Sequence, residues 1–208
     1  MKKLIGLIFG TTLLLSTSAF SEVTVGLKVG NGDLEGTNAS YTAGTTTYAS
    51  TSASKNSMYG AIFAEIGLGD SPVSFGVEYV PLDADISLDN KNSSTSANVG
   101  DYTTAYLLYM HDAGGNNVYG KLGYSTADIG DIKSKSTVNS QSSSLDGIMI
   151  GAGLETGELA NGFLGRFEVT YTDFDDIEAV TTSNGSASVK KTADGELITV
   201  TFGIAKSF

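Results

Sequence analysis

The sequence predicts an all-β fold: a closed eight-stranded antiparallel transmembrane β-barrel, wound as an up-and-down meander. Three observations predict it. Apolar residues recur with period two in eight separate runs, the connections between runs alternate short and long, and the chain opens on an export leader.

The leader comes first. Lys2 and Lys3 precede the apolar-rich stretch Leu4 to Leu15, followed by Ser16-Thr17-Ser18 and then Ala19-Phe20-Ser21. Basic, apolar and small-x-small segments in that order read as a signal peptide over residues 1–21, cut before Glu22. Its apolar part falls short of the ~20 residues that a membrane-spanning helix needs. The remaining 22–208 then form one domain, with no linker composition or charge block dividing it.

The strands follow in order. Val23, Val25, Leu27 and Val29 alternate with Thr24, Gly26, Lys28 and Gly30. Met58, Ile62, Ala64, Ile66 and Leu68 oppose Tyr59, Ala61, Phe63, Glu65 and Gly67, and Val73, Phe75, Val77 and Tyr79 oppose Ser74, Gly76 and Glu78. In the fourth run Tyr102, Thr104, Tyr106, Leu108 and Met110 are taken as the apolar face, although Leu107 and Tyr109 lie opposite. Val118, Leu122 and Tyr124 then oppose Tyr119, Lys121, Gly123 and Ser125. Ile148, Ile150, Ala152 and Leu154 oppose Met149, Gly151, Gly153 and Glu155. Phe163, Phe167, Val169 and Tyr171 oppose Arg166, Glu168, Thr170 and Thr172, and Ile198, Val200, Phe202 and Ile204 oppose Thr199, Thr201, Gly203 and Ala205. Side chains of a strand point alternately to its two faces, so each run presents one apolar and one mixed side.

The connections 69–72, 113–117 and 156–162 are tight and rich in Gly, Asn, Asp or Pro, whereas 33–57, 84–100, 129–146 and 177–195 are long and polar. Sorting loops by end in this way belongs to an even-stranded membrane barrel with both termini on the short-turn side. In a bilayer the backbone must be satisfied within the sheet, which forces closure and turns the apolar face outward. The mixed face then lines a narrow lumen, and it carries Lys28, Glu65, Glu78, Lys121, Arg166 and Glu168. Eight strands leave an interior that side chains can fill. These six are therefore expected to pair as a charge network in the inner-to-middle lumen, with Arg166 able to bridge two carboxylates through its planar fork. Tyr79, Tyr102, Tyr124, Tyr171, Phe75, Phe163 and Phe208 fall near strand ends, where membrane barrels place aromatic girdles.

The last segment, Leu197-Ile198-Thr199-Val200-Thr201-Phe202-Gly203-Ile204-Ala205-Lys206-Ser207-Phe208, resembles the closing strand of bacterial outer-membrane proteins. The resemblance implies that Phe208 is an assembly signal read by the barrel assembly machinery. Lys206 departs from the pattern, an apolar or aromatic residue being usual there, and is expected to snorkel at the inner rim. With Val118 to Ser125 and Arg166 to Phe174, the chain over roughly 22–208 is similar to the small-barrel superfamily of the OmpA membrane domain, OmpX and the opacity-type porin-family proteins. That likeness implies the bacterial cell outer membrane, its lipid as surroundings, and architecture rather than activity. No peptidoglycan-binding domain is expected beyond Phe208.

Composition narrows the function. The leader holds Lys2 and Lys3 and no acid, so a net charge of −11 for the whole chain becomes −13 without it. Such a chain repels nucleic acid. The absence of cysteine removes disulfides and thiolate metal sites. No cofactor is expected. Asp173, Asp175, Asp176 and Glu178, with Asp83, Asp85, Asp128 and Asp131, are expected to form a solvated acidic outer rim, in preference to a Ca²⁺ or Mg²⁺ site. The sole histidine, His111, sits beside Asp112 and a short turn, at the inner end, and there is no G-x-S-x-G or HExxH run. The chain is therefore read as a monomeric, non-enzymatic barrel. It has a structural or surface-interaction role, meeting an extracellular ligand through its polar loops. The alternatives are a small-solute channel and an outer-leaflet lipid-modifying enzyme.

Overall fold

Period-two alternation becomes a closed barrel in the computed structural model, which describes residues 20–38, 40–43, 46–81, 84–90, 93–129, 132–134, 137–139, 143–181 and 189–208. Its eight wall strands are β1 (Phe20–Asn38), β2 (Thr51–Leu68), β3 (Val73–Val80), β4 (Ser93–Asp112), β5 (Asn117–Ile129), β6 (Ser143–Glu155), β7 (Phe163–Thr181) and β8 (Val189–Ser207). Each pairs antiparallel with the next, and β8 returns to β1 from Thr24↔Ser207 to Asn38↔Ala193, so the meander closes on itself. Phe208 completes the seam: its N–H donates to the Val23 carbonyl (2.9 Å), and the Val23 N–H to its own (3.3 Å). The expected leader lies outside the described residues except for Phe20 and Ser21, which already belong to β1.

The inner turns carry the residues their backbones require. Asn161 (φ 53°) and Gly162 (φ 78°) both have positive φ between the bridged Ala160 and Phe163, as a two-residue hairpin turn matched to strand twist demands. Between β4 and β5 the Asp112 carboxylate accepts the N–H groups of Gly114 (2.8 Å) and Gly115 (3.2 Å). Those two donors, Gly114's foremost, hold the Asp112 carboxyl below the usual range.

At the outer end the structure corrects the expected loop lengths. β1 runs to Asn38, β2 starts at Thr51, β7 runs to Thr181 and β8 starts at Val189, so much of 33–57 and 177–195 is paired strand. Within 84–100, Ala84–Asn90 folds back on β4 from Ala84↔Val99 to Asn90↔Ser93. Ile132–Ser134 pairs with Thr137–Asn139, and Tyr41–Ala43 with Thr46–Tyr48. A backbone ladder needs no apolar side chains, and above the membrane both faces are wet, so the alternation that reveals a strand disappears there.

The exterior is apolar. Val25, Leu27, Val29, Ile62, Phe75, Leu122, Ile148, Ile150, Leu154, Phe202 and Ile204 are all exposed. Outward residues of β8 from Ile198 to Phe208 cover ten residue steps. At ~3.3 Å per residue and a tilt of ~40° that is a band of about 25 Å, the height of the apolar belt of a membrane barrel. Lys206, on this face, rests its ammonium over the rings of Phe163 (5.2 Å) and Phe208 (5.3 Å), which gives the departing cation a place at the inner rim.

β4 shows the second correction. Its inward residues are Tyr102, Thr104, Tyr106 and Leu108, all buried, with Met110 packed beside them, while Leu107 and Tyr109 are exposed to the lipid side. The expected faces are reversed. Both sides of β4 carry apolar bulk, so hydrophobicity alone cannot choose between them; the tyrosine hydroxyls decide, because they need partners that the lumen supplies. For the same reason Tyr102 belongs to the interior and not to the aromatic girdle.

Candidate functional site

The lumen is where this fold gathers its chemistry. Strand alternation brings Lys28 from β1, Glu65 from β2, Glu78 from β3, Lys121 from β5 and Arg166 and Glu168 from β7 into the interior, and all six are buried. Glu155 of β6 joins them, buried to 4 % exposure. The sequence places Glu155 on the mixed face, and the alternation that names the other six would have found it too.

Two tiers form. In the inner one, Arg166 donates through Nη1 and Nη2 to the two oxygens of Glu65 (2.8 Å each) and through Nε to Glu155 (2.6 Å). Asn117 donates to the other Glu155 oxygen (3.2 Å) and the Tyr106 hydroxyl to Glu65 (2.7 Å). In the middle tier two lysines face two glutamates. Lys28 contacts Glu168 and Glu78 (2.6 Å to the latter), and Lys121 reaches Glu168 (3.0 Å) and Glu78 (3.3 Å). Tyr59 donates to Glu78 (2.5 Å) and Tyr119 to Glu168 (3.1 Å). The Lys121 ammonium also lies 3.8 Å from the centre of the Tyr106 ring, and the Arg166 guanidinium 4.9 Å from that of Phe63.

Three cations face four carboxylates, which leaves one negative charge in excess. The phenol and amide donors satisfy the oxygens the cations leave over. Among the described residues no buried side-chain polar atom lacks a partner. Glycine makes room for this. A Cβ at Gly76 would fall inside the Tyr106 ring and one at Gly153 inside the Tyr119 ring, so each tyrosine lies flat over a bare stretch of wall. The void left among Lys28, Phe63, Tyr119, Lys121, Arg166 and Glu168 is about 10 Å³, room for on the order of one water.

Above the ions comes a hydroxyl layer, with Thr170 bonded to Thr199 (2.6 Å), Thr104 to Ser125 (2.8 Å), and Tyr102 to Ser125 and Thr172 (3.0 Å each). The outermost lumen is apolar. Elsewhere, His111 is exposed at the inner end of β4, next to the turn at 113–116. Asp128, Asp173, Asp175 and Asp176 are exposed at the outer rim. Asp83 and Asp131 lie outside the described residues, as do the side chains of Asp85 and Glu178. Among the described residues no group of three or more acidic or histidine side chains converges as a metal site.

An eight-stranded meander with an apolar exterior and a charged, packed interior is the fold of the small bacterial outer-membrane β-barrels. Solved structures of that kind superpose on it. OprG from Pseudomonas aeruginosa aligns with a TM-score of 0.61 at 14% identity, over 92% of this chain and 98% of its own. The outer-membrane protease OmpT from Escherichia coli aligns with a TM-score of 0.52 at 10% identity, over 93% and 99%. Ail, the attachment invasion locus protein of Yersinia pestis, gives 0.47 at 13% identity, over 90% and 100%. No family model matches the chain, and no curated protein does. At these identities the likeness is one of fold.

Proposed function

We propose that the chain is an outer-membrane barrel with a closed lumen that acts at the cell surface through its outer loops rather than by conducting solutes. One observation carries this reading: seven ionised side chains from β1, β2, β3, β5, β6 and β7 meet across the middle of the lumen and leave a void of about 10 Å³. A hydrated ion or sugar does not pass such a plug unless several buried ion pairs separate together, each costing several kcal/mol to break. The exposed apolar belt supports residence in a bilayer. The proposal includes removal of residues 1–21 on export and recognition of Phe208 by the assembly machinery.

OmpT is a protease by its name, so the enzymatic reading has a precedent in the fold. The residues of this chain favour the other one. His111 stands at the inner end, on the opposite side of the membrane from the outer leaflet, and the rim carboxylates are not joined to a histidine among the described residues. Planar-bilayer recording of refolded residues 22–208 tests the proposal. Wild type should show no steady open state, and a stable ohmic conductance of wild type would overturn the closed lumen.

A further inference from the structure

The outer lumen holds a feature that neither a plug nor a loop display requires. Above the hydroxyl layer, Leu34, Tyr59, Val80, Tyr102, Leu145 and Phe174 line an open-mouthed recess of about 80 Å³. On the same measure the void among the ions below is about 10 Å³, so this is the roomier part of the lumen. Its aromatic rings stand edge to face, Tyr59 to Tyr102 at 6.5 Å and Tyr102 to Phe174 at 6.2 Å.

The polar atoms of this wall are already engaged. The Tyr59 hydroxyl donates downward to Glu78, and that of Tyr102 bonds Ser125 and Thr172. The recess therefore offers an incoming molecule carbon surface and no free hydrogen-bonding group at its base. Polar residues, Lys55 and Ser57, stand in the β2 part of the lining. A guest that covers this carbon surface releases the water standing over it, so apolar molecules gain most by entering.

The ladder beside the recess is interrupted: beyond β3, Ala84–Asn90 stands next to β2 but pairs with β4. β2 pairs with β1 as far as Thr51, yet among the described residues its ladder with β3 ends at Ile62↔Tyr79. From Thr51 to Ala61 one edge of β2 therefore has no β3 partner. The interruption starts at the level of Tyr79. Met58, which lies along it and is 76 % exposed, is one of the lining residues, so the recess reaches the barrel wall at the outer membrane interface.

We propose that this recess is a binding site for a small uncharged apolar molecule, an aromatic or short aliphatic hydrocarbon. The site stands on its own observations and does not need the lumen below it to be closed.

The test uses methyl-labelled protein in lipid nanodiscs titrated with toluene, followed by NMR. Methyl resonances of Leu34, Val80 and Leu145 should shift and saturate. Those of Leu122 and Ile150, on the lipid face, should drift linearly as toluene partitions into the bilayer. Leu145→Trp fills the recess and should abolish the saturable shifts of Leu34 and Val80, while Leu122→Trp leaves them. Should Leu145→Trp fail to fold, Leu34→Trp fills the same space from β1 and is read at Val80 and Leu145. Linear drift at every methyl, or saturation that survives in a folded filled variant, would overturn the proposal. Neither result bears on conductance, so failure here is distinguishable from an open lumen.

Discussion

Arg166→Ala removes the centre of the inner tier. The guanidinium makes three charge-assisted hydrogen bonds, two at 2.8 Å to Glu65 and one at 2.6 Å to Glu155. Its loss strands two carboxylates that are 3 % and 4 % exposed. Breaking one partner of a buried pair costs about 3–5 kcal/mol, chiefly because the remaining charge is left uncompensated. Hydrogen bonds to charged groups at ~1.5 kcal/mol each, three of them, give about 4.5 kcal/mol by a separate route. Urea unfolding of protein refolded into lipid vesicles should therefore show Arg166→Ala less stable by about 4 kcal/mol. Adding Glu65→Gln should recover on the order of 2 kcal/mol, because one of the two stranded charges is gone. A loss below about 1 kcal/mol, or single and double variants that add within ~0.5 kcal/mol, would refute the reasoning. It would mean that water reaches these charges.

The middle tier is redundant, since each of Glu78 and Glu168 touches both lysines, so Lys121→Met should cost less than Arg166→Ala in the same unfolding assay. Gly76→Val should destabilise the barrel by several kcal/mol, because the added carbons land in the Tyr106 ring; Ser74→Val, which adds a β-branched side chain on the same face of the same strand, is the control in the same urea titration. Deleting Phe208 should reduce the folded barrel recovered from outer membranes, while trimming several residues from 40–54 should not; equal recovery of both would count against the assembly role. Mass spectrometry of membrane-extracted protein should give a chain beginning at Glu22, and a mass that retains residues 1–21 would contradict the leader.

Much of this barrel is legible before any coordinates are seen, and the exceptions share a cause. Seven strands declare their faces through period two, because lipid on one side and a packed polar lumen on the other select opposite side chains at successive positions. β4 does not, since Tyr102, Tyr106 and Leu108 give its lumen side as much apolar surface as Leu107 and Tyr109 give the lipid side. The information that resolves it lies on other strands, in Glu65, Ser125 and Thr172, which receive or share the tyrosine hydroxyls. The six lumen charges can be named from alternation alone, but which cation meets which carboxylate depends on tilt and register across the barrel. Arg166 and Glu65 are 101 residues apart in sequence. The apolar outer recess is least legible of all. Its members, among them Leu34, Val80, Leu145 and Phe174, come singly from separate strands and form no pattern within any one of them.

The β1–β8 seam has a kinetic consequence. Seven of the eight strand contacts join sequence neighbours and can form as local hairpins, but the eighth joins Thr24 to Ser207 across 183 residues. Closing a loop of that length costs about 2.5 kcal/mol more chain entropy than closing a ten-residue hairpin, and nothing offsets it until the two edges lie in register. The sheet therefore curls before it closes, and while it curls it exposes two edges of unpaired backbone that the bilayer core cannot hydrogen-bond. Ring closure is then the slow step, and until it happens each β1 edge is free to take the β8 edge of another molecule.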